Sequence, residues 1–335
     1  MQEFSRYFHQ WLYGKEGYYS KYKTIGKGGD FYTAVSTSIF FGGSIAKKIV
    51  DEVEKGNLLE DSTIVEIGAH HGYLLSDIIQ FIYTLKPELL KTLKFAIVER
   101  FEHLQKAQKE YFKASFGDEI ELVHYNDISD LRLDSAFVVA NEIFDAFTCE
   151  LIYTKEGVIN QAFVDDEQKI VFKPTNDPKI VDFCTKYSLN KGEYPLSYDE
   201  FAKTLKQNIK SFHFCTFDYG DIYTRNDFSA RIYSKHKVYP LFEEGLNLKE
   251  LYQKSDITYD VPFAYLIDCF KDQGCKVEFR TQLQTLISFG IIDLLEILKA
   301  NSSEEHYLKE LGRVKTLLEP TGMGDRFKSI YVICK

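Results

Sequence analysis

Two histidines, His70 and His71, stand side by side in the stretch STIVEIGAHHGYLLSDII (62–79), between Gly68 and Gly72. Two chemistries suit such a pair. It can open a metal site, or it can sit in a strand-to-helix turn where bare backbone approaches a nucleotide. The metal option is poor, because adjacent residues in a turn rarely aim at one ion and no third or fourth ligand follows at useful spacing. No metal is expected. For the nucleotide option, a β-branched run leads into Gly68 and a helix pattern follows Gly72, and glycines there let backbone come close to a ligand. Glu66 and Ala69 complete the turn. The next apolar run ends in IVER, which puts Glu99 at a strand tip where an acidic side chain accepts both ribose hydroxyls. The plain alternative is a structural turn in which the histidines simply pack.

A turn of that kind needs a sheet to hold it. Short apolar runs ending in polar residues read as strands at TIVEIG (63–68), KFAIVE (94–99), EIELVHY (119–125), AFVVANE (136–142), FHFCTFDYG (212–220), CKVEFRT (275–281) and KSIYVIC (328–334). Helical patterns separate the early ones, so right-handed crossovers and a parallel sheet are expected. The last strand follows two helices and the turn PTGMGDR. The expected architecture is therefore α/β: a seven-stranded doubly wound sheet whose last strand is antiparallel.

Four blocks follow from this pattern. Residues 1–60 form a helical cap with the glycine-rich loop TIGKGGDF in its middle, and 61–149 hold the first half of the core. Residues 150–210 carry inserted antiparallel strands with the polar turns KEG and DDEQ, then a helix. Residues 211–335 complete the core, with an irregular, Tyr-, Lys- and Arg-rich insertion at 221–262 that faces a substrate. The exposed strands in 150–172 offer an edge for self-association as a homodimer.

The bulk numbers exclude several classes. A chain of 335 residues with 44% hydrophobic and 27% charged content is an ordinary globular protein, and it can bury a full core. A net charge of −9 argues against nucleic acid as a partner. No apolar run approaches the roughly 20 residues that span a bilayer, and the N-terminus has no secretory pattern. The six cysteines, Cys149, Cys184, Cys215, Cys269, Cys275 and Cys334, form no CxxC pair and are expected as buried free thiols in a reducing cytoplasm.

Several stretches in order resemble the MidA-like methyltransferases, relatives of the mitochondrial complex I assembly-factor arginine methyltransferase. YGKEGYY (13–19) and GDFYTAVSTSIFFGG (29–43) are similar to that family's N-terminal GYY and GDFxTSPE segments, and VEIGAHHGYLLSDII (65–79) to its E-x-GPGRGTL-x-x-D-I turn. VER, ANEIFDA (140–146), FDYG (217–220), SDITYDVPF (255–263) and MGDRFKSI (323–330) follow in family order. The resemblance implies a Rossmann-like class I methyltransferase fold, S-adenosyl-L-methionine as cofactor, and methyl transfer to a protein arginine, by analogy in a respiratory-complex or other assembly subunit. It also exposes departures. His70 takes the place of the middle glycine of GPGRG, where a side chain either turns away with a negative φ or fills the space. GDFYTA lacks the Ser-Pro-Glu of the family.

On that resemblance, Gly29, Asp30, Glu66, Gly68, Ala69, His70, Gly72, Glu99, Asp127 and Ile128 line the donor site. Asp30 closes over it or is a plain turn aspartate; Asp127 reaches the adenine amine or caps a short segment; Ile128 stacks on the base. The strand tip VVANEIFDAF offers Asn141, Glu142 and Asp145, an amide and two carboxylates that suit a planar guanidinium whose charge must be held on the nitrogens not being methylated. Alternatively, the same residues cap a helix. In ARIYSKH, Arg231 and Tyr233 touch a substrate peptide and His236 accepts the released proton, or the segment is a solvated loop. Two other readings remain open. A binding or assembly protein keeps this fold without donor affinity, and an NAD-dependent oxidoreductase lacks its expected G-x-G-x-x-G.

Overall fold

β-branched and aromatic residues crowd the short runs between helices, and such residues fit a pleated surface buried on both faces. In the computed structural model, which describes residues 1–21 and 33–335, they form the strands β1 (Thr63–Ile67), β2 (Lys94–Val98), β3 (Leu122–Tyr125), β4 (Leu133–Asn141), β5 (Ile209–Asp221), β6 (Lys276–Thr281) and β7 (Phe327–Cys334). All seven expected strands are present. Gly29 and Asp30 lie outside the described residues.

The sheet runs β6–β7–β5–β4–β1–β2–β3, and the two-residue strand Val261–Pro262 pairs the far end of β5. The pairs β5–β4, β4–β1, β1–β2 and β2–β3 are parallel, while β6 and β7 are antiparallel. Strand order reverses at β1: β2 lies on one side of it and β4 on the other. In open α/β sheets the crevice for a ligand forms at that reversal, beyond the carboxyl ends of the strands.

The chain divides into two compact units. One comprises Tyr32–Glu142, Phe201–Asp218 and Phe270–Lys335, and the other Met1–Phe31, Ile143–Glu200 and Tyr219–Cys269. In the sheet unit, helix Phe40–Glu54 packs on helix Tyr73–Leu85 with Phe41, Ile45, Ile49, Leu75, Ile79, Val139 and Phe217 in one apolar cluster. Burying each of these large side chains stabilises by about 1.5–3 kcal/mol. The two helices approach closely because the sequence places FFGG at their crossing. A Cβ on Gly42 would come within 2.7 Å of the Asp77 Cβ, and one on Gly43 within 2.7 Å of the Phe81 ring.

Cysteine usage departs from expectation. Cys275 and Cys334 flank the Lys276–Ile333 rung of the β6–β7 pair, and they are joined by a disulfide with Cα atoms 4.5 Å apart. The expectation of six free thiols is thereby corrected to four: Cys149, Cys184, Cys215 and Cys269, all buried. The bonded cysteines are 59 residues apart in sequence, so only the strand register brings them face to face.

The other unit is built around antiparallel strands Cys149–Lys155, Val158–Val164, Ile170–Pro174 and Lys191–Pro195. The first two turn at Glu156–Gly157, both with positive φ, as a tight hairpin requires. Helix Phe4–Tyr13 buries Phe4, Tyr7, Phe8 and Trp11, and the Trp11 indole donates to the Ser255 carbonyl at 2.7 Å. A three-stranded sheet of Arg231–Ser234, Lys237–Pro240 and Asp256–Thr258 completes it. Among the described residues no helix is long and apolar enough to cross a membrane.

Candidate active site

The turn after β1 is built from alternating left-handed residues. Gly68, His70 and Gly72 have φ of 72°, 46° and 79°. Gly72 opens helix Tyr73–Leu85 with its N–H bonded to the Ala69 carbonyl at 2.7 Å, and a Cβ added there would lie 2.9 Å from the Phe112 ring. Both its conformation and the space around it call for glycine.

The negative φ expected as one alternative at His70 is not what the structure has. The residue adopts a left-handed conformation, at a cost of about 1–2 kcal/mol for a side-chain-bearing residue. Its ring meets that of His71 edge-on, centroids 4.0 Å apart. Helix Glu102–Phe116 secures the turn from the side: the Gln108 amide nitrogen donates to the His70 carbonyl at 2.7 Å, and its oxygen meets His124 Nε2 at 2.9 Å. Burial pushes His124 down to about 4, so it stays neutral at ordinary pH. Among the described residues no group of three or more His, Cys, Asp or Glu side chains is placed to hold a metal.

Glu66 lies beneath the turn, buried, with its Oε2 accepting from the Leu75 N–H at 3.0 Å. Burial pushes its carboxyl up to about 8; the Leu75 bond opposes this and the Asp77 charge adds to it. Asp77 itself is raised to about 7 by burial. At the tip of β2, Glu99 is buried and accepts from the Phe101 N–H at 3.0 Å, and burial raises its pKa too. At the tip of β3, Asp127 uses Oδ1 to cap the short turn Ile128–Asp130, accepting from Ser129 N–H at 2.9 Å. The capping alternative named for Asp127 is thus what its hydrogen bonds show, with Ile128 half-buried beside it.

The tip of β4 carries Asn141 and Glu142. The Asn141 amide nitrogen donates to Glu142 Oε1 at 2.9 Å, while the Asn141 Oδ1 is buried with no hydrogen-bond partner. Glu142 is held at φ 53°, its N–H bonded to the Phe217 carbonyl at 2.9 Å. A non-glycine residue fixed in this region at a strand tip is a feature of functional sites. Asp145 belongs to the other unit. It is buried in the turn Phe144–Ala146, and its carboxyl is pushed up by burial, with Arg231 pulling it down and Asp260 adding to the rise.

Arg231 is not a solvent-facing contact. Its guanidinium bonds Asp260 and the Tyr233 hydroxyl and lies over the Tyr219 ring, 5.4 Å from the centroid. A buried guanidinium needs carboxylate and aromatic partners, and this unit supplies them internally. Of the Arg231 nitrogens, Nη2 alone is buried without a hydrogen-bond partner. His236 sits exposed in the two-residue turn between Arg231–Ser234 and Lys237–Pro240, at φ 62°. Gln108 was not picked out from the sequence, and Asp77, although it matches the aspartate of the E-x-GPGRGTL-x-x-D-I pattern, was given no role there. Tertiary contact gives Gln108 its part at the turn, and burial sets the state of Asp77.

A parallel sheet reversing at β1, closed at one edge by the antiparallel β6–β7 pair, with a left-handed turn after β1 and an acid at the tip of β2, is the architecture of a class I methyltransferase fold. Residues 44–280 match the family described as "Putative S-adenosyl-L-methionine-dependent methyltransferase". The chain belongs to that family of S-adenosyl-L-methionine-dependent methyltransferases. It is 24% identical over 345 residues to "Protein arginine methyltransferase NDUFAF7, mitochondrial" of Danio rerio, covering 95% of this chain and 79% of that one. The human protein of the same name is 24% identical over 341 residues, covering 93% and 75%. A COG1565 superfamily member from Burkholderia thailandensis bound to S-adenosyl-homocysteine superposes with a TM-score of 0.82 at 22% identity, covering 99% of this chain and 87% of that one. The cofactor is S-adenosyl-L-methionine. The residues present fit it: a left-handed turn at Gly68, His70 and Gly72 after β1, a buried acid at the tip of β2, and an unpaired amide oxygen at the tip of β4.

Proposed function

We propose that this methyltransferase modifies a guanidino nitrogen of an arginine in a protein substrate. What supports the acceptor is the name shared by relatives that cover nearly the whole chain, together with one observation: Glu142 is held rigidly at the tip of β4 by Asn141 Nδ2 and the Phe217 carbonyl. A fixed carboxylate binds a guanidinium through paired N–H donors and keeps the positive charge on the nitrogens that are not attacked.

Gly68, Ala69, His70 and Gly72 would hold the donor's amino-acid end, Glu66 would support the turn from beneath, and Glu99 would take the ribose hydroxyls. Asp127 and Ile128 would border the adenine. Bound S-adenosylmethionine supplies an electrophilic methyl group on a sulfonium sulfur. The chain's task is then in-line placement of the guanidino nitrogen, with Glu142 as the group that fixes it. As the new N–C bond forms and the S–C bond breaks, one proton leaves the guanidinium, and the methylated product remains a cation. Asp145 is offset by the chain's own Arg231, so Glu142 carries the clamp in this proposal.

The alternative of a fold that has lost its donor is disfavoured by membership of a family described as S-adenosyl-L-methionine-dependent and by the left-handed backbone at Gly68, His70 and Gly72. The homodimer and the cytoplasmic location belong to the proposal as well; the four free thiols favour a reducing compartment and the Cys275–Cys334 bond opposes it. The test is transfer of labelled methyl from S-adenosylmethionine to proteins of the source cell, followed by hydrolysis to amino acids. Label is expected in methylarginine, and Glu142→Gln should abolish it while leaving S-adenosylhomocysteine affinity within about threefold. Label in another amino acid, or Glu142→Gln retaining full transfer, would overturn the arginine assignment.

A further inference from the structure

The amide of Asn141 is committed on one side only. Its nitrogen donates to Glu142 Oε1 at 2.9 Å, which fixes the orientation of the group, and its oxygen is left buried without a donor. A buried carbonyl oxygen without a partner costs about 1–3 kcal/mol, and at a strand tip facing a ligand crevice it offers an acceptor to a ligand N–H or O–H.

The register says where that oxygen stands. In the parallel pair β1–β4, Glu66 lies opposite Val139 and Ile67 opposite Ala140. One rung further come Gly68 and Asn141. Side chains alternate along a strand, so Asn141 projects from the same face as Val139 and Glu66. On the other side Asn141 lies opposite Phe217, which packs on Phe41 of the covering helix, centroids 4.8 Å apart. Asn141 therefore stands beside the glycine turn, on the face covered by helix Phe40–Glu54. Glu99 marks the opposite flank of β1, at the tip of β2. A methyl donor laid across the β1 turn with its ribose at Glu99 would bring its amino-acid end to Asn141.

We propose that the Asn141 side-chain oxygen accepts a hydrogen bond from the α-ammonium group of the methyl donor, and that Asn141 is a donor-binding residue, with Glu142 holding its amide in the required orientation. The inference rests on the donor-binding reading of the turn. The oxygen accepts from either an N–H or an O–H, and the Glu142 carboxyl one hydrogen bond further along the same chain of contacts makes a cationic donor the better match. A cation at one end and hydroxyls at the other match the two ends of S-adenosylmethionine.

The test is calorimetric titration with S-adenosylhomocysteine and with its analogue lacking only the amino group. The protein should bind the amino ligand more tightly. Asn141→Ala should weaken that ligand by about 10–100-fold, as for a hydrogen bond to a charged group, and leave the deaminated analogue within about threefold. Asn141→Asp keeps an acceptor and should retain the preference, and thermal melts check that both variants fold. Equal weakening of both ligands, or no weakening of either, overturns the role of Asn141. Failure of the unmutated protein to bind either ligand overturns the donor-binding reading itself, a distinct result.

Discussion

Replacing Gly72 with alanine introduces two separate penalties, and the structure allows each to be sized. At φ 79° an alanine is left-handed, which costs about 1–2 kcal/mol. Its Cβ would also stand 2.9 Å from Phe112 Cε2. Phe112 cannot swing clear easily, because it is buried and its ring lies between those of Tyr111 and Phe116 at 5.9 and 5.5 Å. Overpacking of this kind costs about 1–3 kcal/mol. Restricting the unfolded chain returns about 0.4–1 kcal/mol. The expected net loss is about 2–4 kcal/mol. Gly56→Ala isolates the backbone part: its φ is 70°, nothing lies within 4 Å of its added Cβ, and it belongs to the same unit. Its net loss should be about 1 kcal/mol or less. Urea unfolding of both variants reads the difference, and at about 2–4 °C per kcal/mol the Gly72 variant should melt about 4–16 °C lower. Its S-adenosylhomocysteine affinity should fall as well, whereas Gly56→Ala should leave it unchanged. Equal destabilisation by the two substitutions would refute the Phe112 contact, and an unchanged affinity would refute the turn as the donor cradle.

Two further outcomes follow from the same turn. The Glu66 carboxyl is raised to about 8 in the folded protein, so the folded state holds a proton that the unfolded chain has lost above its ordinary value near 4.5. Stability from this group is therefore full below about pH 4.5 and is lost as pH rises through 8, by a few kcal/mol in all. Glu66→Gln should make urea stability flatter between pH 6 and 8.5, with Asp77 leaving a residual slope, and an undiminished slope would assign the effect elsewhere. His70→Gly relieves about 1–2 kcal/mol of left-handed strain but adds about 0.5–1 kcal/mol of chain entropy to the unfolded state, so stability should move by about 1 kcal/mol or less. Calorimetry should show S-adenosylhomocysteine affinity changed less than about threefold; a tenfold gain would mean that the imidazole crowds the ligand.

Much of the fold was legible in the amino-acid order because the information is local. TIVEI, KFAIV and FVVAN are short β-branched runs between helical patterns, and they could only be strands of a mostly parallel sheet. Glu99 was legible for the same reason, since the end of a strand is visible in sequence and strand ends face the ligand. The state of His70 was not. Its φ depends on Gly68 and Gly72 on either side and on Gln108, which donates to its carbonyl from a helix 38 positions away.

The same division explains the remaining differences. Sequence proximity grouped Asn141, Glu142 and Asp145, but the boundary between compact units falls after Glu142, and Asp145 answers to Arg231 instead. Cys275 and Cys334 meet only because β6 and β7 share a register. By itself, the sequence determined the strands, their order of chemistry along the chain and the acids at their tips, because hydrophobic periodicity and turn residues act over a few positions. Tertiary structure alone decided which polar atoms are paired, which carboxylates are desolvated and which amide oxygen is left waiting, because burial and hydrogen bonding depend on neighbours that the chain brings in from far away.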